Sequence, residues 1–241
     1  MIKFPLSPIF IPANKLDWIT KTFERGADSI ILDLEDSVTE THKKKAREDL
    51  YLHLIDNKYE GNLIVRVNPI DQDLGLEDIK KLTDTDLSID AFMVPKIEDS
   101  SFLSKLPEIN VIPLLETPRS IQNIADIASQ IRVKGLALGG ADLSASLGST
   151  MDWDSLLYAR SKIILEASIN NLFSIDSPFM DINDLESLEK ESKKSKGLGF
   201  DGKAAIHPNQ LEVIQKSFLP SDEEVKEAKN IIKAFNSSLR Q

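Results

Sequence analysis

The stretch VIPLLETPRS, Val111 to Ser120, places an ionisable residue directly behind a run that has to be buried. Val111 to Leu115 reads as a short strand covered on both faces. Thr117-Pro118 reads as a helix start, with threonine at the N-cap and proline at the first helical position. Glu116 is therefore expected at the C-terminal end of a buried parallel strand, the end of an α/β sheet where ligands bind. The pattern recurs at Gly135 to Leu138, another apolar run, after which Gly139-Gly140 permits a close turn and Asp142 follows. Either carboxylate alone reads as a turn former or a helix cap. The pair at equivalent strand ends points to a site for a hard divalent cation, which takes oxygen ligands.

The same alternation extends outward. Apolar runs at Pro8 to Pro12, Ser29 to Leu34, Leu63 to Val67 and Ala91 to Val94 come before it, and Phe173 to Ile175 and Gly202 to Ile206 come after. Between them lie segments that read as helices: Lys15 to Arg25, with Gly26 placed as its C-terminal cap, Thr41 to Ile55, Asp154 to Asn170 and Asn183 to Lys196. Short apolar runs alternating with longer amphipathic segments are the βα pattern of a parallel sheet. Eight such units predict an α/β fold, a single (β/α)8 TIM barrel over residues 1–241. An extra C-terminal helix is expected from the capping box Ser221-x-x-Glu224 to Ser238. A doubly wound open sheet is the structural rival, but the GxGxxG turn typical of it is missing.

A length of 241 residues suits one barrel, and 41% hydrophobic with 28% charged residues is the balance of a soluble globular chain, which excludes the disordered and fibrous classes. No apolar run approaches the ~20 residues of a membrane span. The opening MIKFPLSPIF lacks the apolar core and cleavage site of a signal peptide. The absence of cysteine excludes disulfides and thiolate ligands, so a cytoplasmic protein with no membrane association is expected. A net charge of −10 opposes nucleic-acid binding. An anionic ligand would have to be attracted locally, by a metal ion or a few placed Lys and Arg.

Asp33, Glu35, Arg66, Asn68, Lys96, Glu116, Asp142, Asp176 and His207 all fall at or near strand C-termini, and they are expected to ring one mouth. Arg66, between valines in VRVNP, reads either as an ion-pair partner of Asp33 or Glu35 or as an anion clamp whose planar fork suits a carboxylate or enolate oxygen. Lys96 reads as a structural or ion-paired lysine, or else as a Schiff-base lysine of the kind some barrel aldolases employ. His207 before Pro208 fits a hydrogen-bonded turn and a substrate contact equally. His42 and His53, on a polar helix, are expected to be solvated.

Eight motifs in order carry a family resemblance: FIPAN (Phe10 to Asn14), GADSIILDLEDSV (Gly26 to Val38), RVNP (Arg66 to Pro69), MVPKIE (Met93 to Glu98), IPLLET (Ile112 to Thr117), GGADL (Gly139 to Leu143), LLYARS (Leu156 to Ser161) and LGFDGKAAIHP (Leu198 to Pro208). Across nearly its whole length the chain resembles the citrate lyase beta-subunit-like branch of the HpcH/HpaI aldolase superfamily. The resemblance implies a TIM barrel in which Glu116 and Asp142 hold Mg2+ and Arg66 and Glu116 contact the substrate. It also implies lyase chemistry on small 3-hydroxyacyl-CoA thioesters such as citryl-CoA, citramalyl-CoA or malyl-CoA. By likeness to malyl-CoA lyases, Phe10, Lys15 and Lys21 would contact the CoA. Run in reverse, the same site would perform a Claisen or aldol addition.

Two departures qualify the likeness. Ala13 stands where the first motif usually has glycine, and only 34 residues follow His207, so the longer C-terminal cap that supplies an acid/base aspartate in some malyl-CoA lyases is expected to be missing. Proton transfer then falls to Glu35, Asp36, a metal-bound water or a neighbouring subunit. The alternatives are an HpcH-type metal-dependent aldolase on CoA-free hydroxy-keto acids, and a non-catalytic CoA-metabolite sensor or scaffold subunit. The apolar stripe Val225, Ala228, Ile231, Ile232 and Phe235 must be buried, either on its own barrel or on a neighbour, and a homo-oligomer, with a trimer favoured, is expected.

Overall fold

The computed structural model describes residues 5–83 and 86–238. Met1 to Phe4, part of the segment examined for a signal peptide, lie outside them. Eight parallel strands pair in sequence order: β1 (Ile9–Pro12), β2 (Ser29–Asp33), β3 (Asn62–Arg66), β4 (Ala91–Val94), β5 (Val111–Leu115), β6 (Gly135–Leu138), β7 (Phe173–Asp176) and β8 (Gly202–Lys203). The helices are α1 (Trp18–Glu24), α2 (Lys43–Asp56), α3 (Asp73–Leu82), α4 (Pro118–Gln122), α5 (Ile124–Ala128), α6 (Gly140–Leu147), α7 (Trp153–Asn170), α8 (Leu185–Leu198), α9 (Leu211–Phe218) and α10 (Asp222–Ser238). The result is a barrel-like α/β fold with a curled eight-stranded parallel sheet. Its outer strands meet through one isolated bridge, Ile9 with Ala205, rather than a continuous ladder. There the Phe10 N–H donates to Ala205 O at 2.9 Å, the Ala205 N–H to Pro8 O at 2.8 Å and the Lys203 N–H to Leu6 O at 3.0 Å.

Because both faces of the sheet are covered, successive strand residues sort into two cores. Ile30, Leu32, Leu63, Val65, Val111 and Leu115 pack outward against the helices. Ile31, Ile64, Met93, Ile112, Leu114 and Ala137 fill the concave interior. Helix starts follow local chemistry: Thr117 Oγ1 accepts the Ser120 N–H at 3.0 Å and the Thr117 N–H donates to Ser120 Oγ at 3.1 Å, a capping box in front of Pro118. The expected Ser221 and Glu224 box also forms ahead of α10.

Several expectations are corrected. Between β4 and β5 only a 3-10 turn, Leu103–Lys105, replaces the helix of a regular unit, so the alternation is seven-fold in strict terms. β8 is two residues long rather than five, because past Lys203 the backbone turns to Asp176 O (Ala204 N–H, 3.0 Å) and then to Pro8 O. α3, α6 and α9 were not read from the sequence. His53 is half-buried and bonded through Nε2 to the Tyr59 hydroxyl at 2.6 Å, whereas His42 is exposed as expected. On α10, Ile231, Ile232 and Phe235 are 63%, 60% and 61% exposed, so more than half of each side chain faces solvent. Among the described residues no helix is long and apolar enough to cross a membrane.

Candidate active site

Continuing the inward register by two residues puts Asp33, Arg66, Glu116 and Gly139 at the C-terminal mouth of the concave face, and leaves Asp176 and Lys203 on the outward face. The mouth opens on a cavity of about 400 Å3, bordered by Phe10, Arg66, Glu116, Gly139 and Asp142 among others.

Arg66 is anchored from the neighbouring strand. Its Nε and Nη2 donate to the two carboxylate oxygens of Asp33, each at 2.7 Å, and its guanidinium lies 4.9 Å from the Phe10 ring centroid. The remaining arm, Nη1, stands 3.2 Å from Glu35 and 3.4 Å from Asp36. Burial alone would raise the Asp33 carboxyl, but the Arg66 guanidinium holds it below the ordinary value. Asp33 also accepts the Glu35 N–H at 2.9 Å and the Ser37 N–H at 3.0 Å, so one carboxylate orients both the arginine and the acidic loop beside it. Of the two roles weighed for Arg66 the structure therefore shows the ion pair: two nitrogens are fixed on Asp33 and the third stands against Glu35 and Asp36 beside the cavity.

Glu116 is 2% exposed, and a single backbone donor, the Lys96 N–H at 2.9 Å, reaches its Oε1. That donor is aimed by a left-handed Lys96, φ 54°, a conformation that costs a residue with a side chain about 1–2 kcal/mol. Opposite, Gly139 leaves space for the other oxygen: a Cβ there would stand 2.7 Å from Glu116 Oε2 and 2.4 Å from its Cβ. Asp142 enters from the first turn of α6, which has no side-chain cap, so the helix-cap role weighed for it is not filled. Burial, then Glu35 and Asp142, push the Glu116 carboxyl up to about 8. Glu35 is itself 3% exposed with neither carboxylate oxygen hydrogen-bonded, and burial raises its pKa despite Arg66 and a Lys96 ammonium 3.5 Å away.

These features fit a hard cation. Acidic groups converge with too little positive charge, and an oxygen is left room by a glycine. Among the described residues no group of three or more His, Cys, Asp and Glu stands at metal-holding spacing, and the pair that meets across the cavity is Glu116 and Asp142. Mg2+ is commonly bound in that way, by one or two carboxylates with waters and substrate oxygens completing the shell.

The rest of the expected ring divides. Lys96 reaches the mouth through Glu35, as an ion-paired lysine. Asn68 instead turns behind β3, where its side chain donates to Asp78 Oδ2 at 2.7 Å. Asp176 borders the cavity, yet its carboxylate is bonded by Arg160 Nε at 2.9 Å, by Lys203 Nζ at 2.9 Å and by the Ser195 hydroxyl, so it is structural. His207 accepts the Asn209 N–H at its Nδ1 and caps a 3-10 turn, which is the turn role. Phe10 lines the cavity. Lys15, 5.9 Å from the Trp18 ring centroid, and Lys21, paired with Asp17 at 3.1 Å, lie on or just before α1 outside the cavity lining. Sequence reasoning missed the roles of Arg160 and Lys203, although both lie in quoted motifs and Lys203 has the outward parity that marks it.

The chain is similar to known proteins over nearly its whole length. The family model of HpcH/HpaI aldolase/citrate lyase matches residues 6–208. The (3S)-malyl-CoA thioesterase of Cereibacter sphaeroides is 32% identical, over 97% of this chain and 84% of its own. Mitochondrial citramalyl-CoA lyase of Homo sapiens is 31% identical, over 94% of this chain and 74% of its own. The crystal structure of the protein CitE from Mycobacterium tuberculosis, in complex with magnesium, acetoacetate and coenzyme A, matches with a TM-score of 0.84 at 31% identity, covering 97% of this chain and 88% of that one.

Proposed function

From the premise that the chain belongs to the HpcH/HpaI aldolase/citrate lyase family, we infer that it is a Mg2+-dependent carbon-carbon lyase acting on a small 3-hydroxyacyl-CoA thioester, with acetyl-CoA and a keto acid as products. The observation that carries this reading is the Glu116 and Asp142 pair at one mouth, with the Glu116 carboxyl raised to about 8 by burial and by Glu35 and Asp142. Glu116 and Asp142 would hold the metal. When bound, Mg2+ supplies Lewis acidity and a template for the substrate's hydroxyl oxygen and carboxylate.

The chain's own groups do the rest. Asp33 locks the guanidinium of Arg66, whose remaining arm, held between Glu35 and Asp36, would turn to the thioester oxygen and stabilise it as negative charge develops there. The hydroxyl proton leaves towards Glu35 and Asp36, which flank that arm. The bond between the hydroxyl-bearing carbon and the neighbouring methylene then breaks. Its electron pair forms the thioester enolate, and the enolate takes up a proton to give acetyl-CoA. Phe10, Lys15 and Lys21 are assigned to the CoA, the two lysines to its phosphates.

In the same reading residues 1–241 are a single TIM-barrel domain, a reading supported by the sequential order of the eight strands. The protein is placed in the cytoplasm, on its lack of cysteine, and as a homo-oligomer, trimeric by resemblance, supported by the exposed Ile231 and Ile232. Acetyl-CoA release from citramalyl-CoA or malyl-CoA should vanish in EDTA and return with Mg2+. Turnover that survives thorough chelation sinks the metal assignment. Release of keto acid from CoA-free hydroxy-keto acids alone would move the protein to the aldolase class.

A further inference from the structure

We propose that the β7 side of the cavity, formed by Met151, Pro178 and Met180, is an adaptable apolar subsite that accepts an ethyl or propyl group on the hydroxyl-bearing carbon of the substrate. The protein then cleaves, and in reverse forms, 3-hydroxyacyl-CoA esters derived from 2-oxo acids longer than pyruvate. This rests on the lyase reading above and extends its substrate range.

The first ground is direction. Of the substituents on the hydroxyl-bearing carbon, the hydroxyl oxygen and the carboxylate belong to the metal between Glu116 and Asp142, and the methylene leads to the thioester oxygen at Arg66. The remaining substituent is left to point away from Arg66. Arg66 ends β3, and β7 stands four strands further along the curled sheet, across the mouth. Pro178 and Met180 border the cavity from the segment that leaves β7. Met151 reaches the same wall from the turn before α7. A Cβ on Gly140 would stand 3.1 Å from Met151 Cε and 3.1 Å from Ser177 Cβ, so Met151 lies against both the β7 segment and the first turn of the helix that carries Asp142.

The second ground is the chemistry of that wall. Ile175 below it belongs to the inner core, and Asp176 brings no free charge, because its carboxylate is bonded by Arg160 and Lys203. The polar groups of the lining stand elsewhere. Ser37 follows β2 beside Asp33, its hydroxyl 3.3 Å from Asp33 O, and the backbone of Gly139 to Ala141 opens α6 next to Asp142. The Ser177 hydroxyl is buried and outside the cavity lining. An alkyl group at this wall therefore displaces water without stranding a donor.

The third ground is adaptability. Three of the chain's four methionines, Met93, Met151 and Met180, border this one cavity. An unbranched thioether re-packs around ligands of different outline, where a β-branched wall would hold one shape. Met180 is 55% exposed, so it can swing outward without opening a void in the core. Met151, Pro178 and Met180 also lie outside the eight motifs that carry the family resemblance, which sets this wall apart from the metal machinery those motifs build. In such a subsite each added methylene is buried with a gain of up to about fourfold in affinity. In a rigid one it would overpack.

The test measures initial rates of condensation of acetyl-CoA with pyruvate, 2-oxobutanoate and 2-oxopentanoate on the Mg2+-loaded protein, paired with calorimetric binding of the same acids. In condensation the methyl carbon of acetyl-CoA loses a proton, its electron pair bonds to the keto carbon, and the keto oxygen takes up a proton to become the hydroxyl. Both longer acids should keep kcat/KM within about tenfold of pyruvate. Met180→Ser removes apolar surface and Met151→Phe stiffens the wall, and each should lower the ratio of 2-oxopentanoate to pyruvate kcat/KM by about tenfold. A larger drop from pyruvate to either longer acid in the wild type overturns the proposal and leaves the lyase reading intact. Acceptance of the longer acids with the ratio unmoved in both variants overturns the assignment to this wall. Binding that tolerates the longer acids and is narrowed by both variants, without condensation or cleavage of any thioester, supports the subsite and removes the lyase reading.

Discussion

Two buried groups of charged residues lie on opposite faces of the same sheet, and they differ in balance. Behind β7 and β8, Arg160 and Lys203 face Asp176 and Glu191, two cations with two anions, every contact between 2.7 and 3.8 Å. There Lys203 and Arg160 outweigh burial and hold the Asp176 carboxyl below its ordinary value. On the concave face acids outnumber cations, Glu35 has no hydrogen bond to either oxygen, and the Glu116 carboxyl is pushed up to about 8. A cluster that closes its own accounts holds a fold together. One that does not is completed by something the chain lacks.

The largest expected effect breaks the concave cluster. Glu116→Gln should lower kcat/KM by about 10³-fold or more, since several kcal/mol of charge stabilisation depend on the metal. Its urea midpoint should not fall, because a strained acid has been replaced by a neutral amide; a large stability loss would show Glu116 to be structural. The converse change, Lys203→Met, should cost about 3–5 kcal/mol in urea unfolding by leaving buried carboxylates under-compensated. Stability within 1 kcal/mol of wild type, taken as a rough margin, would dismiss the structural role.

Smaller effects sharpen the contrast through pH. If Glu116 holds the metal as proposed, its carboxylate must be ionised, so below about 8 Mg2+ affinity should fall by up to about tenfold per pH unit, with proton release visible by calorimetry in buffers of different ionisation enthalpy. Affinity flat between pH 6 and 8 would contradict the raised carboxyl. The two clusters also oppose each other in linkage. The folded, metal-free protein holds its Glu116 proton from the ordinary 4.5 up to about 8, so this group destabilises it as pH rises through that window. Asp176, with a depressed pKa, contributes stability above its ordinary value that is lost as pH falls through the folded one. Least in magnitude, Phe235→Asp on the exposed α10 face should weaken self-association while leaving the melting of the dissociated chain within a degree or so. Light scattering that finds wild type monomeric at micromolar concentration removes the oligomer.

Strands β4, β5 and β6 were legible to the residue, because each is a bounded apolar run, and Glu116 was legible because a carboxylate follows such a run without a break. Arg66 was legible as a choice between two roles, of which the structure shows the ion pair with Asp33. Asp176 borders the cavity as expected but turns its carboxylate away for a physical reason: it stands one residue past the inward Ile175, so its side chain bonds Arg160 and Lys203 behind the sheet. Asp142 was found while its helix was not. The paired glycines read as a turn, although Leu143 and Leu147 at helical spacing and Gly148, φ +64°, marked α6 and its end. α9 had a readable stripe in Leu211, Ile214 and Phe218. The absence of a helix after β4 had no local signal, since what replaces it depends on packing.

The seam has a consequence for how the chain reaches this state. Ile9 meets Ala205, and Gln215 Nε2 donates to Ser7 Oγ at 2.8 Å, so the first strand's outer edge waits for nearly the whole polypeptide. During synthesis β1 to β7 emerge with an unpaired edge and an uncovered apolar interior, a condition that favours association between nascent chains. Contacts of such sequence separation also form slowly, because loop-closure entropy precedes their reward. Chaperone demand and refolding yield should therefore be set by this one joint.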